Sequence, residues 1–129
     1  MMIGTNNAGS DTAEQIAEGV EAIVKSFRTQ RPKSKILLLG VFPRGGKKPM
    51  NPEVVAADEL HKKIPAINAI IAKLDDGKAV KYLDIGKSFL DDKGGLPKSV
   101  MPDYLHLSKE GYGRWAKAIQ KPVEEMVKP

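Results

Sequence analysis

The sequence predicts an α/β fold, a three-layer α/β/α sandwich with a short parallel sheet. The run ILLLGV, residues 36–41, is apolar throughout and has the length of a strand that helices cover on both faces. Segments with helical apolar periodicity lie before and after it, and a second strand-like segment, AVKYLDI, follows them. Strands that alternate with helices in this way form parallel sheets with right-handed crossovers.

The first helix is predicted for residues 12–29. Thr12 and Gln15 have the spacing of a capping box. Apolar residues recur behind them at helical intervals: Ile16, Val20, Ile23, Val24 and Phe27. The stub MMI before this helix has room only for a very short strand.

After the first full strand, FPRGGKKPMNP is expected to be a loop because of its proline and glycine content. The helical region 54–74 follows, and Pro65 is expected to break or kink it. The second strand is predicted for residues 80–85. Ser108 is expected to cap the last helix, whose end Pro122 should disturb. The residues expected to face inward on this helix are Tyr112, Trp115, Ile119 and Val123.

The chain has 129 residues, of which 41% are hydrophobic and 29% charged, so one domain over residues 1–129 with one modest core is expected. Two or three parallel strands make a small sheet with uncovered edges. We therefore expect a truncated form of a larger fold that associates with itself as a homodimer, since a monomer would leave apolar faces in water.

The net charge of +5 does not indicate a nucleic-acid partner, because the lysines are scattered beside aspartates and aromatic residues are few. Without cysteine, the sequence excludes disulfides, thiolate metal sites and a cysteine nucleophile. No apolar stretch is long enough for membrane insertion, and the start MMIGTNNAGSD is too polar for a signal peptide. The chain as given is expected to be soluble and cytoplasmic, with its cellular location otherwise open.

Polar residues concentrate in the loops that follow the strands, where open α/β sheets bind their ligands. These loops contain GTNNAGSD, FPRGG and PDYLH. Asp103 lies three residues before His106, so its carboxylate could accept the imidazole Nδ1 proton and leave Nε2 as a general base. The alternative is an ordinary turn after Pro102.

Two other groups of residues bear on this hypothesis. Asp58 and His61 have the same spacing but lie within a helical pattern, which favours a solvated surface pair.

In GTNN, Gly4 would let the backbone approach a ligand and Asn6 could donate its amide to an oxyanion, a contact that can contribute about 3 kcal/mol in a transition state. The alternative for GTNN is an asparagine-rich turn before the helix.

Together these segments resemble the SGNH (GDSL-type) hydrolases, and among them the platelet-activating-factor acetylhydrolase-like esterases. The likeness is carried by GTNN, by FPRG and by YLDIGKSFLDDKGGLPKSVMPDYLHLSKEGY, and it extends over essentially the whole chain. It implies a truncated flavodoxin-like fold that hydrolyses carboxylic esters, with a small-molecule substrate of short-chain or aryl type and no cofactor or metal.

The resemblance also implies roles for individual residues. Asp103 would orient the ring, His106 would be the base, and Asn6 would be the oxyanion-hole asparagine. Gly4 and Asn7 would contribute to substrate binding. Asn7 stands where the family block usually has aspartate, and it is expected to brace the loop rather than to act in catalysis.

One part of the family pattern has no counterpart, the amino-terminal Gly-Asp-Ser block that carries the nucleophile. The sequence begins inside the strand that would precede GTNN. Three accounts follow: a catalytically inactive fragment that serves as a dimeric interaction module, a minimal hydrolase that uses another serine or a water, or a partner chain that supplies the nucleophile. Ser10 and Ser99 are the serines nearest the motif loops, whereas Ser108 is better explained as a helix cap.

Overall fold

The computed structural model describes residues 1–45, 51, 53–54 and 58–128. Most of the loop expected after Gly45, and part of the helical region expected from Val54 onward, lie outside the described residues.

The chain divides into two compact units, each treated by itself below. The first comprises Met1–Val41 and Lys63–Asp84, and the second comprises Phe42–Lys62 and Ile85–Pro129. The expectation of one domain over residues 1–129 stays a prediction.

Helix α1 spans Ala13–Gln30 and has the predicted capping box. The Thr12 hydroxyl accepts a hydrogen bond from the Gln15 backbone N–H at 3.2 Å, and the Thr12 N–H donates to Gln15 Oε1 at 2.9 Å. Its buried residues include Ile16, Val20 and Val24. The outer part of the predicted apolar face remains exposed.

Strands β1, Ile36–Leu39, and β2, Val80–Leu83, pair in parallel, and Ile36 is in register with Val80. Both predicted strands are confirmed, although each ends two residues earlier than expected. Leu38 and Leu39 point to opposite faces of the sheet, and both are buried. β1 is therefore covered on both faces, as its apolar run predicts.

The two edges of this small sheet differ. On the β1 side, the Met1 ammonium donates to the Leu37 carbonyl at 2.6 Å and the Leu39 N–H donates to the Met1 carbonyl at 2.8 Å, which is a parallel pattern. On the β2 side, Asp76 Oδ1 accepts from the Val80 N–H at 2.9 Å, and Asp75 Oδ2 accepts from the Tyr82 N–H at 2.7 Å. Aspartate side chains thus occupy backbone donors that another strand would need.

Between the strands, helix α2 spans Glu59–Ile71 and ends in a 3₁₀ turn, Ala72–Leu74. Of the two outcomes expected at Pro65, the break is wrong, because α2 continues through this residue, whereas the kink stays a prediction. Proline removes one helical hydrogen bond, a loss of about 3 kcal/mol. Burial of the isoleucines on the same helix offsets it, since each buried side chain contributes about 1.5–3 kcal/mol. These are Ile64, Ile67 and Ile71.

Asn68 of α2 is a buried polar side chain that closes the end of β1. Its Oδ1 accepts from the Val41 N–H at 2.7 Å, and its Nδ2 donates to the Val41 carbonyl at 3.1 Å and to Asp84 Oδ2 at 3.2 Å. Gly40 is required beside it, because a Cβ there would lie 2.8 Å from Asn68 Nδ2 and 2.7 Å from the Tyr82 hydroxyl. Burial, and then the nearby Asp84 carboxylate, raise the pKa of Tyr82 to about 12.

In the second unit, helix α3 spans Lys109–Val127 and begins at the predicted Ser108 cap, whose hydroxyl accepts from the Gly111 N–H at 3.1 Å. Pro122 does not disturb the helix end, contrary to expectation. The inward orientation of the apolar residues is also wrong in part, since Tyr112 is 59% and Val123 38% exposed.

The aromatic contacts explain why Tyr112 stays outside. The Phe42 ring lies 4.5 Å from Phe89 and 5.0 Å from Trp115, between ring centroids, so these three rings fill the space beside α3. Tyr112 stacks on Trp115 at 6.0 Å and remains in solvent.

Replacing Asn68 by leucine should leave both Val41 backbone groups buried without partners. Each such group costs about 1–3 kcal/mol, so we expect the free energy of unfolding to fall by about 3 kcal/mol in urea denaturation. Gln30→Leu is the control, because the Gln30 amide is exposed and donates to the exposed Ser26 hydroxyl at 2.9 Å. A loss of similar size in both variants would contradict a special role for Asn68.

Candidate active site

The structure places Asp103 and His106 in direct contact. Asp103 Oδ2 lies 2.6 Å from His106 Nδ1, while its Oδ1 accepts from the backbone N–H groups of Leu105 at 3.1 Å and His106 at 2.7 Å. Oδ1 of the carboxylate therefore orders the turn, and Oδ2 orients the imidazole ring. Because Nδ1 faces the carboxylate, Nε2 is the nitrogen left to accept a proton.

The electrostatics of this pair follow from its exposure. The hydrogen bond from the His106 ring, and then those from the backbone, hold the pKa of Asp103 well below its ordinary value. The side chain of Asp103 is 55% exposed and that of His106 is 79% exposed. Water screens the charge of such a pair, so the contribution we assign to the carboxylate is the orientation of the imidazole.

Tyr104, between the two residues, has a positive φ of 60° although it is not glycine. That conformation costs of order 1 kcal/mol or more, and it persists only where the surroundings impose it. Here the Tyr104 side chain is buried, and its carbonyl accepts from the Gly45 N–H at 3.0 Å. This bond brings the predicted FPRGG and PDYLH loops together within the second unit.

The far end of the PDYLH loop is fixed by the start of α3. The Ser108 hydroxyl donates to the Ser99 carbonyl, and the Ser108 N–H donates to the Val100 carbonyl at 2.9 Å. At Gly111 a Cβ would lie 2.6 Å from the Val100 carbonyl oxygen, so only glycine permits this approach. Ser108 is thereby committed to backbone contacts, as expected for a cap.

The GTNN segment forms a tight turn in the first unit. Gly4 has φ 107°, and a Cβ at this position would lie 2.8 Å from Ile16 Cγ2, so α1 itself requires the glycine. Thr5–Asn7 is a 3₁₀ helix, in which Asn6 is exposed. Within the described part of the chain, the Asn6 amide has no hydrogen-bond partner, which leaves it able to donate to a ligand.

Two side chains hold this turn from the outside. Asn7 Nδ2 donates to Asp11 Oδ2 at 2.8 Å, the contact expected of a bracing residue. The Lys63 ammonium of α2 donates to the carbonyls of Ala8 and Asp11, both at 2.8 Å. The position of the Gly4–Asp11 segment, which we call the GTNN loop, therefore depends on a lysine more than 50 residues away in sequence.

The second Asp–His spacing has a different geometry. Asp58 Oδ1 accepts from the His61 backbone N–H at 3.0 Å, so Asp58 caps α2 rather than pairing with the ring. His61 is half-buried and its Nδ1 has no partner among the described residues, so the expected solvated pair is wrong. Burial lowers the pKa of His61, and the Asp58 charge opposes that effect.

Sequence reasoning missed Lys63, Asn68 and the strained Tyr104. Nothing in LHKKI distinguishes Lys63 from Lys62, because only the fold decides which lysine meets the GTNN loop. Asn68 interrupts an apolar helical stripe between Ile67 and Ile71, and that interruption is a signal that could have been used.

The described residues contain no group of three or more metal-binding side chains. None of the described helices is both long and apolar enough to span a bilayer.

Solved structures with the same fold define the class. A candidate platelet activating factor protein from Streptococcus pneumoniae is 27% identical with a TM-score of 0.77, and the match covers 95% of this chain and 57% of that chain. A candidate acylhydrolase from Bacteroides fragilis is 16% identical with a TM-score of 0.73, and it covers 96% and 57%. The fold is the three-layer α/β/α sandwich of the SGNH hydrolases, as predicted.

The profile of the GDSL-like Lipase/Acylhydrolase family matches residues 1–114, and the chain belongs to that family. Platelet-activating factor acetylhydrolase IB subunit alpha2 from Gallus gallus is 37% identical over 126 residues. This match covers 97% of the chain and 49% of the relative, so the chain spans about half the length of that protein. The sequence motifs predicted an SGNH (GDSL-type) hydrolase, and that prediction is confirmed.

Lys63→Met should release the GTNN loop. We expect faster amide hydrogen exchange at Ser10 and Asp11, whose N–H groups bond to the Asn7 carbonyl, and a loss of about 1–2 kcal/mol in the free energy of unfolding. Lys62→Met is the matched control, because the Lys62 ammonium is exposed and pairs with the exposed Glu59 carboxylate at 2.8 Å. Unchanged exchange in Lys63→Met would show that the lysine does not hold the loop.

Asp103→Asn should flatten the acid side of the stability curve. A pKa that is lower in the folded than in the unfolded state means that the ionised carboxylate stabilises the fold above its ordinary pKa. This contribution is lost as pH falls through the folded-state pKa, between about pH 5 and pH 2. Urea denaturation should show a shallower decline in this window for the variant than for wild type. An exposed control, Asp92→Asn, should retain the wild-type slope.

Proposed function

We propose that this chain hydrolyses carboxylic esters with His106 as the general base. The observation that carries the proposal is the 2.6 Å contact between Asp103 Oδ2 and His106 Nδ1, which sets the tautomer with Nε2 unprotonated. Membership of an acylhydrolase family supports the same chemistry.

In the proposed reaction, Nε2 of His106 takes a proton from a hydroxyl group as its oxygen attacks the ester carbonyl carbon. A tetrahedral intermediate forms, and its oxygen carries the negative charge. When the intermediate collapses, the ester C–O bond breaks and Nε2 returns the proton to the leaving alkoxide. Asp103 stays ionised throughout and stabilises the imidazolium.

We propose water as the attacking group. No serine hydroxyl among the described residues is hydrogen-bonded to His106. The Ser10 hydroxyl donates to the Asn7 carbonyl at 3.4 Å. A side chain that is 79% exposed can meet bulk water directly. Ser10, Ser99 and a partner chain's serine remain the alternatives that the experiment below separates.

Asn6 is proposed as the oxyanion donor, with Gly4 and Asn7 shaping the substrate-binding turn around it. The support is the exposed Asn6 amide, together with the anchoring of the GTNN loop by Lys63. A donor held in place before the reaction needs no reorganisation in the transition state, which is why loop anchoring matters for rate.

Short-chain and aryl esters are the proposed substrates. A relative that covers almost the whole chain carries the name of an acetylhydrolase, which favours a small acyl group. Esters with good leaving groups, such as aryl acetates, should react first, because their leaving oxygen needs less help from a proton donor.

The rival interpretation is an inactive interaction module. The family comparison does not favour it, because the chain matches acylhydrolases across residues 1–114. Self-association is compatible with either interpretation, and we propose a homodimer because large apolar side chains remain exposed in the first unit.

Hydrolysis of p-nitrophenyl acetate by the purified chain tests the proposal. We expect turnover that falls by about 100-fold or more in His106→Ala, since a positioned general base contributes at least that factor. Asn6→Ala and Asp103→Asn should lower kcat with smaller effects on KM. His61→Ala is the matched control and should retain wild-type turnover.

An organophosphate serine probe with mass spectrometry identifies the attacking group in the same samples. Turnover without a labelled serine supports water, whereas a label on Ser10 or Ser99 replaces water by that serine. Equal turnover in wild type and His106→Ala would sink the enzyme proposal and favour the inactive module.

A further inference from the structure

Tyr104 has an unusual backbone conformation for its residue type. Among the described residues it is the only non-glycine residue with a positive φ, 60°, and it stands between Asp103 and His106 in the sequence. Glycine and asparagine adopt left-handed backbone most readily, whereas a bulky aromatic residue does so at a steric cost. A tyrosine at this position therefore needs an explanation that glycine or asparagine would not satisfy.

The left-handed turn is what joins Asp103 to His106. Where a turn contains a left-handed residue, successive backbone N–H groups can converge on one acceptor. Here the N–H groups of Leu105 and His106 both donate to Asp103 Oδ1, at 3.1 and 2.7 Å. The imidazole thereby returns toward Asp103, and its Nδ1 lies 2.6 Å from Oδ2. The contact of the pair depends on the backbone of the residue between them.

Contacts on both backbone groups and on the ring hold Tyr104 in this conformation. The Tyr104 N–H donates to the Met101 carbonyl at 3.0 Å, and the Tyr104 carbonyl accepts from the Gly45 N–H at 3.0 Å. The side chain is only 4% exposed. Lys98 Nζ lies 5.9 Å from the centroid of the ring, within the range of a cation–π contact.

Of these contacts, burial of the ring is the one that requires an aromatic residue. Any residue except proline could offer the same N–H and carbonyl to Met101 and Gly45. Glycine would adopt the positive φ without strain, but it would leave the core without the ring. A strained backbone persists only where its surroundings impose it, and a buried ring supplies a large apolar area that opposes any rotation out of the core.

We infer that Tyr104 is a positioning residue for His106, because its buried ring imposes the left-handed turn that presents the imidazole to Asp103. The inference rests on the proposed function, in which His106 is the general base, and it goes further by naming a residue that acts through His106 rather than on the ester. Such positioning matters for rate, since a misplacement of about 1 Å can slow a reaction by about 100-fold.

The tautomer of His106 tests the inference without any substrate. Long-range proton–nitrogen correlation spectra, recorded where the imidazole is neutral, should show the wild-type His106 proton on Nδ1 alone. In Tyr104→Gly, which permits the positive φ but removes the ring, we expect a mixture of the two tautomers. Tyr104→Phe keeps a buried ring and should give the wild-type spectrum. His61, the other histidine of the chain, is an internal reference that should not change.

Phe89→Leu is the matched control for a loss of core packing. Phe89 is a fully buried ring of the same unit, and it packs on Phe42 with 4.5 Å between ring centroids. We expect this variant to lower the free energy of unfolding in urea denaturation and to leave the His106 tautomer intact. If it disturbed the tautomer as much as Tyr104→Gly does, the effect would be one of general destabilisation and the inference would be wrong.

Hydrolysis of p-nitrophenyl acetate gives a second readout. We expect kcat to fall by about 10-fold or more in Tyr104→Gly while KM stays within about two-fold of wild type, because a displaced base weakens the transition state rather than substrate binding. Tyr104→Phe should retain the wild-type kcat. If wild type shows the Nδ1 tautomer but no turnover, the esterase proposal fails, and the spectra still decide the role of Tyr104.

A wild-type spectrum in Tyr104→Gly, or a mixture of tautomers in Tyr104→Phe, would overturn the inference. Should Tyr104→Gly not fold, Tyr104→Leu takes its place, because leucine keeps an apolar side chain in the core but fills less of it. We expect a smaller shift toward the mixture in that variant, and an unchanged spectrum would count against the inference in the same way.

Discussion

The architecture of the first unit depends on the buried amide of Asn68. β1 leaves its ladder at Gly40, and the next residue, Val41, would bury an unpaired N–H and an unpaired carbonyl. Asn68 satisfies both and also reaches Asp84 after β2, so one side chain ties the ends of both strands to α2. A parallel pair of four-residue strands is weak by itself, and this buried connection fixes where each strand ends.

The candidate catalytic groups are held in the same way, by side chains that bond to backbone. Asp103 orders its own turn through the N–H groups of Leu105 and His106, and Lys63 fixes the GTNN loop through two carbonyls. Hydrogen bonds between a charged side chain and the backbone fix the position of a loop without a large hydrophobic core. This explains how a chain that spans half the length of its relatives retains an ordered Asp–His pair.

Local signals predicted most of the fold and one part of the site. The Thr12–Gln15 box, the Ser108 cap and both strands follow from short-range chemistry, and the Asp103–His106 contact spans only three residues. Errors arose where distant contacts decide. Pro65 stays helical because α2 buries its isoleucines, and Tyr112 stays exposed because Phe42 and Phe89 occupy the space beside Trp115. Lys63 and Asn68 act across 27 to 55 residues, beyond any periodicity.

The exposed groups of the chain fall into two kinds with different physical explanations. Around His106, exposure admits the water that the proposed chemistry uses. On α1, exposure involves isoleucine and phenylalanine beside a glycine that no internal contact requires. The polar groups around His106 tolerate water, whereas exposed isoleucine and phenylalanine side chains do so at a cost in free energy.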